Sequence, residues 1–233
     1  IADQVVRLWY QPIRDLSSKA KIGAEALFRV DVAGERVVLT PDLLGVLGPR
    51  IARHVLTVLV EDAVGMYDAG TLPPYIGVNL TAPDLLSDDI HEQVLAAHAT
   101  LQELGCSLAV EISEQVGLHD LTGVRPAIES IRGEGIQVAL DDFGTGSNSL
   151  ALLRELPLDA LKLDPSFVSG AMGHAADRAI VKAAVALADE LDLALIAEGV
   201  ETEGILAFIR GAGIRFAQGY LFDRPPPSTN GDD

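Results

Sequence analysis

Cysteine is nearly absent: Cys106 stands alone in 233 residues. With one thiol, no intrachain disulfide can form and no cysteine cluster can hold zinc, so a reducing cytoplasm is the expected compartment. Basic residues are also scarce, 17 Lys and Arg against 34 Asp and Glu, for a net charge of −17. That field repels polymeric nucleic acid and anionic membranes, and any anionic substrate would need cations in its site. Long apolar runs are missing too, because Lys, Asp or Glu interrupts every Ala/Leu/Val stretch short of the roughly 18 to 20 residues that span a bilayer. The first residue is Ile1 rather than Met, which leaves room upstream for a signal peptide, or for a membrane tether with this piece on the cytoplasmic side. Aromatics reach only 5%, yet 48% of residues are hydrophobic and 22% charged. That balance suits one globular domain or a tight pair and excludes a disordered chain.

Short β-branched apolar runs alternate with longer stretches carrying apolar residues three and four apart, the pattern of βα units. Eight runs are expected as strands: Val5 to Tyr10, Ile22 to Leu27, Tyr75 to Leu80, Leu108 to Ile112, Ile136 to Leu140, Ala160 to Leu163, Leu193 to Ala197 and Ile214 to Tyr220. Helices are expected at Ile51–Tyr67, Pro83–Leu104, Leu121–Glu134, Ser149–Leu156, Ala175–Leu191 and Thr202–Gly211. This succession, at a length near the roughly 250 residues of the class, predicts an α/β chain folded as a TIM-like (β/α)8 barrel, with an open doubly wound sheet as competitor. The stretch 11–21 between the first two runs is too short for a helical crossover, so the first strand is expected to be antiparallel. Residues 1–223 are assigned to the barrel and the Pro-rich, acidic residues 224–233 to a tail.

One polar residue interrupts the apolar sequence at the C-terminal end of run after run. Glu25 follows Ile22-Gly23-Ala24, Asn79 follows Ile76-Gly77-Val78, and Glu111 follows Leu108-Ala109-Val110. Asp141 and Asp142 follow Val138-Ala139-Leu140, Lys162 and Asp164 flank Leu163, Glu198 follows Leu195-Ile196-Ala197, and Gln218 comes late in the last run. Loops are polar, so one such residue says little. In a barrel all of these converge on one mouth, where clustered carboxylates repel one another and resist desolvation unless cations compensate. The donors are oxygens, while His54, His91, His98, His119 and His174 fall away from these ends without zinc-like spacing. Mg2+ or Mn2+ is favoured over zinc or copper.

Successive strand residues point to opposite faces, so Asp141 and Asp142 can share a site only where the strand has ended and the chain turns, at Phe143-Gly144-Thr145-Gly146. Two acids there could each contact a different metal, the clamp used in phosphoryl chemistry. A dinucleotide loop is rejected, because Ser149 stands where the third glycine would be and two acids precede the stretch. Arg29 can offer a bidentate fork to a phosphate. Lys162 reads equally as a charge-balancing or a catalytic lysine. Glu114 could cap the next helix, and Trp9 and Phe143 could stack on a base or pack the core. A Mg2+-dependent barrel that abstracts protons from carbon acids would also explain the strand-end acids and the lysine, though not Arg29 or Gln218.

These residues resemble the EAL-domain phosphodiesterases that hydrolyse cyclic di-GMP. The matching motifs, in order, are EALFR at Glu25–Arg29, NLT at Asn79–Thr81, EISE at Glu111–Glu114, DDFGTG at Asp141–Gly146, KLD at Lys162–Asp164, EGVE at Glu198–Glu201 and QGYLF at Gln218–Phe222. The resemblance implies hydrolysis to linear 5′-pGpG with two Mg2+ or Mn2+ ions per site, and Ca2+ as an inhibitor. It further implies a homodimer linked to the loop after Asp142 and a sensor or cyclase domain in the full-length chain. By the same resemblance Glu25, Asn79, Glu111 and Asp141 look like ligands of the first cation, with Asp141 bridging to a second. Asp142 resembles the ligand of that second cation, and Glu198 a further metal-site carboxylate. Lys162 is similar to the lysine that contacts the attacking water, with Asp164 expected to steady it and to lie on the substrate side. Arg29 and Gln218 resemble substrate contacts, and Glu114 the glutamate that pins the loop after Asp142. The chain departs from the pattern at Thr81, usually serine, at Ser147-Asn148, where Tyr-Ser is common, at Pro165, often arginine, and over Thr40–Pro49, which is shorter. The altered loop leaves a second expectation, a barrel that binds cyclic di-GMP without turning it over.

Overall fold

The computed structural model describes residues 6–32, 35–37, 41–114, 121–146 and 149–223. The expected 224–233 tail, Ser147-Asn148, Thr40 and His119 lie outside them. A hairpin of β1 (Val6–Asp15) and β2 (Lys21–Val32) opens the chain, and β3 (Glu35–Val37) folds back antiparallel onto the outer end of β2. There follow β4 (Tyr75–Leu80), β5 (Ser107–Ser113), β6 (Gln137–Phe143), β7 (Ala160–Leu163), β8 (Ala194–Ala197) and β9 (Phe216–Ala217). Strands pair in the order β1-β9-β8-β7-β6-β5-β4-β2, and β2 returns to β1, which closes an eight-stranded barrel with β3 outside the ring. All pairings from β2–β4 round to β8–β9 are parallel, while β1 is antiparallel to both its neighbours. The short 11–21 connection therefore has the effect expected of it.

Helices α1 (Pro41–Asp68), α2 (Ala82–Leu85), α3 (Asp88–Glu103), α4 (Leu121–Gly133), α5 (Ser149–Glu155), α6 (Pro165–Gly170), α7 (Ala175–Glu190) and α8 (Glu203–Gly211) accompany the strands. Two expectations need correction. Pro41–Pro49 form the opening turns of α1, although proline sits inside a helix at Pro49. The single helix expected at Pro83–Leu104 is two, because Thr81 and Asp84 close a capping box on α2, and Ser87, in extended backbone, starts α3 afresh. Among the described residues no helix is long and apolar enough to cross a membrane.

Strand alternation explains both the stability and the site. Outward positions such as Ile76, Val78, Leu108, Val110, Ile112, Val138, Leu140, Leu161 and Leu163 are buried against Leu59, Ile90, Leu101, Ile128, Ile131, Val181 and Ile209 of the helices. Each such side chain contributes about 1.5–3 kcal/mol on burial. The positions between them point into the barrel, and there the sequence places Glu25, Gly77, Ala109, Glu111, Ala139, Ala160 and Lys162.

Candidate active site

The structure brings Glu25, Asn79, Glu111, Asp141, Asp142, Lys162, Glu198 and Gln218 to one mouth of the barrel. At their centre lies the ammonium of Lys162, whose side chain is 0% exposed. Its Nζ is 3.0 Å from Glu25 Oε2, 2.5 Å from Glu111 Oε2, 3.0 Å from Asp141 Oδ1 and 2.9 Å from Glu198 Oε1. Amides tie the ring further: Asn79 Nδ2 donates to Glu25 Oε1 at 2.8 Å, and Gln218 Nε2 donates to Glu25 Oε2 at 2.7 Å and to Glu198 Oε1 at 2.9 Å. Asp141 Oδ1 and Gln218 Oε1 are buried without a directed hydrogen bond.

One oxygen each from Glu25, Glu111 and Asp141 lie within 4.8 Å of one another, as do oxygens of Asp141, Asp142 and Glu198. The two groups share Asp141. That adjacent acids serve one mouth depends on β6, which does not end at Leu140 as expected. It continues to Phe143 across a register irregularity against β7, with Asp142 at φ +55. The left-handed backbone at Asp142 itself breaks the alternation, so its carboxylate joins that of Asp141.

Burial raises the carboxyls of Glu111 and Asp141 above their ordinary values and takes Glu198 to about 8, each against the pull of Lys162. Asp142 rises to about 6 through burial and the adjacent Asp141. Glu25 ends below its usual value, since Lys162, Gln218 and Asn79 outweigh its burial. Burial disfavours the Lys162 ammonium, yet Glu111, Glu25, Glu198 and Asp141 hold it well above the ordinary lysine range. One cation facing four acids leaves the ring short of positive charge, and its all-oxygen donor set fits hard divalent ions.

Glu114 accepts hydrogen bonds from the backbone N–H of Gly144 and of Gly146, both at 2.9 Å, and from the Ser149 hydroxyl. Asp164 does not steady Lys162. Its carboxylate caps α6, accepting from Ser166 N at 2.8 Å and from the Ser166 hydroxyl, while Pro165 begins that helix. Arg29 shares a face of β2 with Glu25 and Leu27 but stands farther out, 5.5 Å from the centre of the Trp9 ring, with Nη1 on the Phe28 carbonyl at 2.9 Å. Phe143 is buried in the core. The Thr81 hydroxyl donates to Asp84 at 2.6 Å within the α2 cap.

A cleft of about 340 Å³ opens above the ring, lined by Glu25, Asp141, Asp142, Glu198 and Gln218 and also by Gln11, Leu27, Pro165, Glu201 and Tyr220. Gln11, Glu201 and Tyr220 carry no site role in the sequence, although Glu201 and Tyr220 lie in the EGVE and QGYLF motifs. Gln11 was detectable in principle as a polar residue facing Glu25 across the hairpin.

A family model described as the EAL domain matches residues 1–225. The chain belongs to the EAL domain family. It is 34% identical over 233 residues to the cyclic di-GMP phosphodiesterase NbdA of Pseudomonas aeruginosa, a match covering 97% of this chain and 30% of that protein. The EAL chain thus spans about a third of the length of such curated relatives. Among solved structures it resembles the PaMucR phosphodiesterase in its c-di-GMP complex, with TM-score 0.81, 30% identity and coverage of 97% and 93% of the two chains. It also resembles the EAL domain of Mycobacterium smegmatis DcpA, with TM-score 0.77, 32% identity and coverage of 97% and 93%.

Proposed function

We propose that this EAL domain hydrolyses one phosphodiester of cyclic di-GMP to linear 5′-pGpG, with two Mg2+ or Mn2+ ions. Glu25, Asn79, Glu111 and Asp141 would hold one ion, and Asp141, Asp142 and Glu198 the other. The observation that carries the reading is the pair of three-carboxylate groups hinged on Asp141 beneath an open cleft. When bound, two hard cations would supply Lewis acidity that activates water and neutralises phosphate charge in an otherwise repulsive protein. The chain's own residues do the rest. Lys162, at the centre of the ring, would orient or deprotonate the attacking water. Gln218 fixes Glu25 and Glu198 relative to each other, and Glu114 fixes the loop that follows Asp142. Arg29, farther out on β2, meets the nucleotide at the rim.

The test is incubation with cyclic di-GMP and Mg2+ or Mn2+, following 5′-pGpG, with Glu25→Ala as control. Product is expected from the wild type and none from the variant. Tight binding without cleavage by folded, metal-loaded protein would point instead to a receptor.

A further inference from the structure

The ring of acids already contains a cation of its own. Lys162 Nζ reaches Glu25 of β2, Glu111 of β5, Asp141 of β6 and Glu198 just past β8, all at 2.5 to 3.0 Å. An ammonium has three hydrogens, so four carboxylates exceed what it can satisfy: Lys162 bonds Glu111 Oε2, Gln218 serves the facing oxygens of Glu25 and Glu198, and Asp141 Oδ1 is left without a directed bond. Three of the four acids, Glu25, Glu111 and Asp141, also form one of the two groups able to hold an ion. A divalent cation and an ammonium drawing on the same three side chains repel each other at this range, and more strongly in a buried site than in water.

We propose that Lys162 is a built-in counter-cation that competes with the first divalent ion for Glu25, Glu111 and Asp141. It holds the ring together while the ion is absent and weakens the ring's hold on the ion when it arrives. The exchange also releases the lysine's N–H donors toward the attacking water.

This inference rests on reading the ring as a metal site, and the experiment separates the two. Mn2+ binding is measured by calorimetry, and melting is followed in EDTA and in Mn2+, for wild type and Lys162→Met. The variant is expected to melt lower than wild type in EDTA, to gain more from Mn2+, and to bind Mn2+ roughly tenfold tighter or more. Unchanged or weaker Mn2+ affinity in the variant overturns the competition. A wild type that binds no Mn2+ sinks the metal-site reading itself. Should Lys162→Met fail to fold without metal, the wild type supplies a second readout, the 15N resonance of the Lys162 ammonium. A shift of that signal on Mg2+ saturation supports displacement; an unmoved signal in Mg2+-saturated protein overturns it.

Discussion

Gly77 is a glycine because Glu111 needs its space. A Cβ placed there would lie 2.1 Å from Glu111 Oε1, closer than any real contact. Gly77→Ala can be relieved only by moving the far end of the glutamate, which is flexible, so the barrel survives while the carboxylate leaves its place. The expected result is a loss of about 10- to 100-fold in Mn2+ affinity with little change in melting temperature. Wild-type affinity in that variant would show that Glu111 is not a ligand. The same scale explains what the sequence could and could not convey about the site. Glu25, Glu111, Asp141 and Glu198 were visible because each is the first acid after an apolar run. Asp164 was expected to steady Lys162 because residues two apart on a strand share a face, but β7 ends at Leu163 and Asp164 turns to cap a helix that its own Asp-Pro sequence announces. Gln11 stands out only once the hairpin register, which the run boundaries leave open, sets it opposite Glu25.

At the scale of the element, β6 does the unusual work. Its irregularity between Leu140 and Phe143 and the φ of +55 at Asp142 place two consecutive acids at one mouth. A left-handed backbone costs an L-residue about 1–2 kcal/mol, somewhat less for aspartate, and nothing for glycine. Asp142→Ala and Asp142→Gly both remove the carboxylate, so both should lose binding at the second ion position to the same degree. They should differ in stability. Urea unfolding is expected to find the glycine variant the more stable by up to about 1 kcal/mol, after allowing for glycine's looser unfolded chain. An alanine variant at least as stable as the glycine one would mean that the backbone at Asp142 is not held left-handed. Elements with strong periodicity, the eight barrel strands, were legible from sequence, whereas β3 and α6 were not. β3 is three residues long and α6 six, too short for any periodicity to show. The division of α2 from α3 was written in the Thr81 and Asp84 pair, but a capping box inside a continuous apolar rhythm is masked by that rhythm.

For the whole molecule, the decisive step is closure, and β1 performs it by pairing antiparallel with both β2 and β9. At the floor end of that seam sits Asp15, 3% exposed. It accepts from Arg215 Nε at 3.1 Å and Nη2 at 2.8 Å, and from Ser17 N at 2.7 Å and Ser17 Oγ at 2.5 Å. Arg215 immediately precedes β9, so this one carboxylate joins the first strand, the first turn and the last strand. Hydrogen bonds from Arg215 and then Ser17 hold its carboxyl well below the ordinary aspartate value of 3.8. The unfolded chain therefore takes up the proton before the folded one does. The stabilisation is fully present above about pH 4 and is lost as pH falls through the lower folded value. Asp15→Asn cannot be ionised and keeps no such dependence. Urea midpoints for wild type and variant should differ most at neutral pH and converge as the solution is acidified below about 4. A gap that stayed constant down to pH 2 would mean that the barrel is closed by strand pairing alone, with Asp15 contributing shape rather than charge.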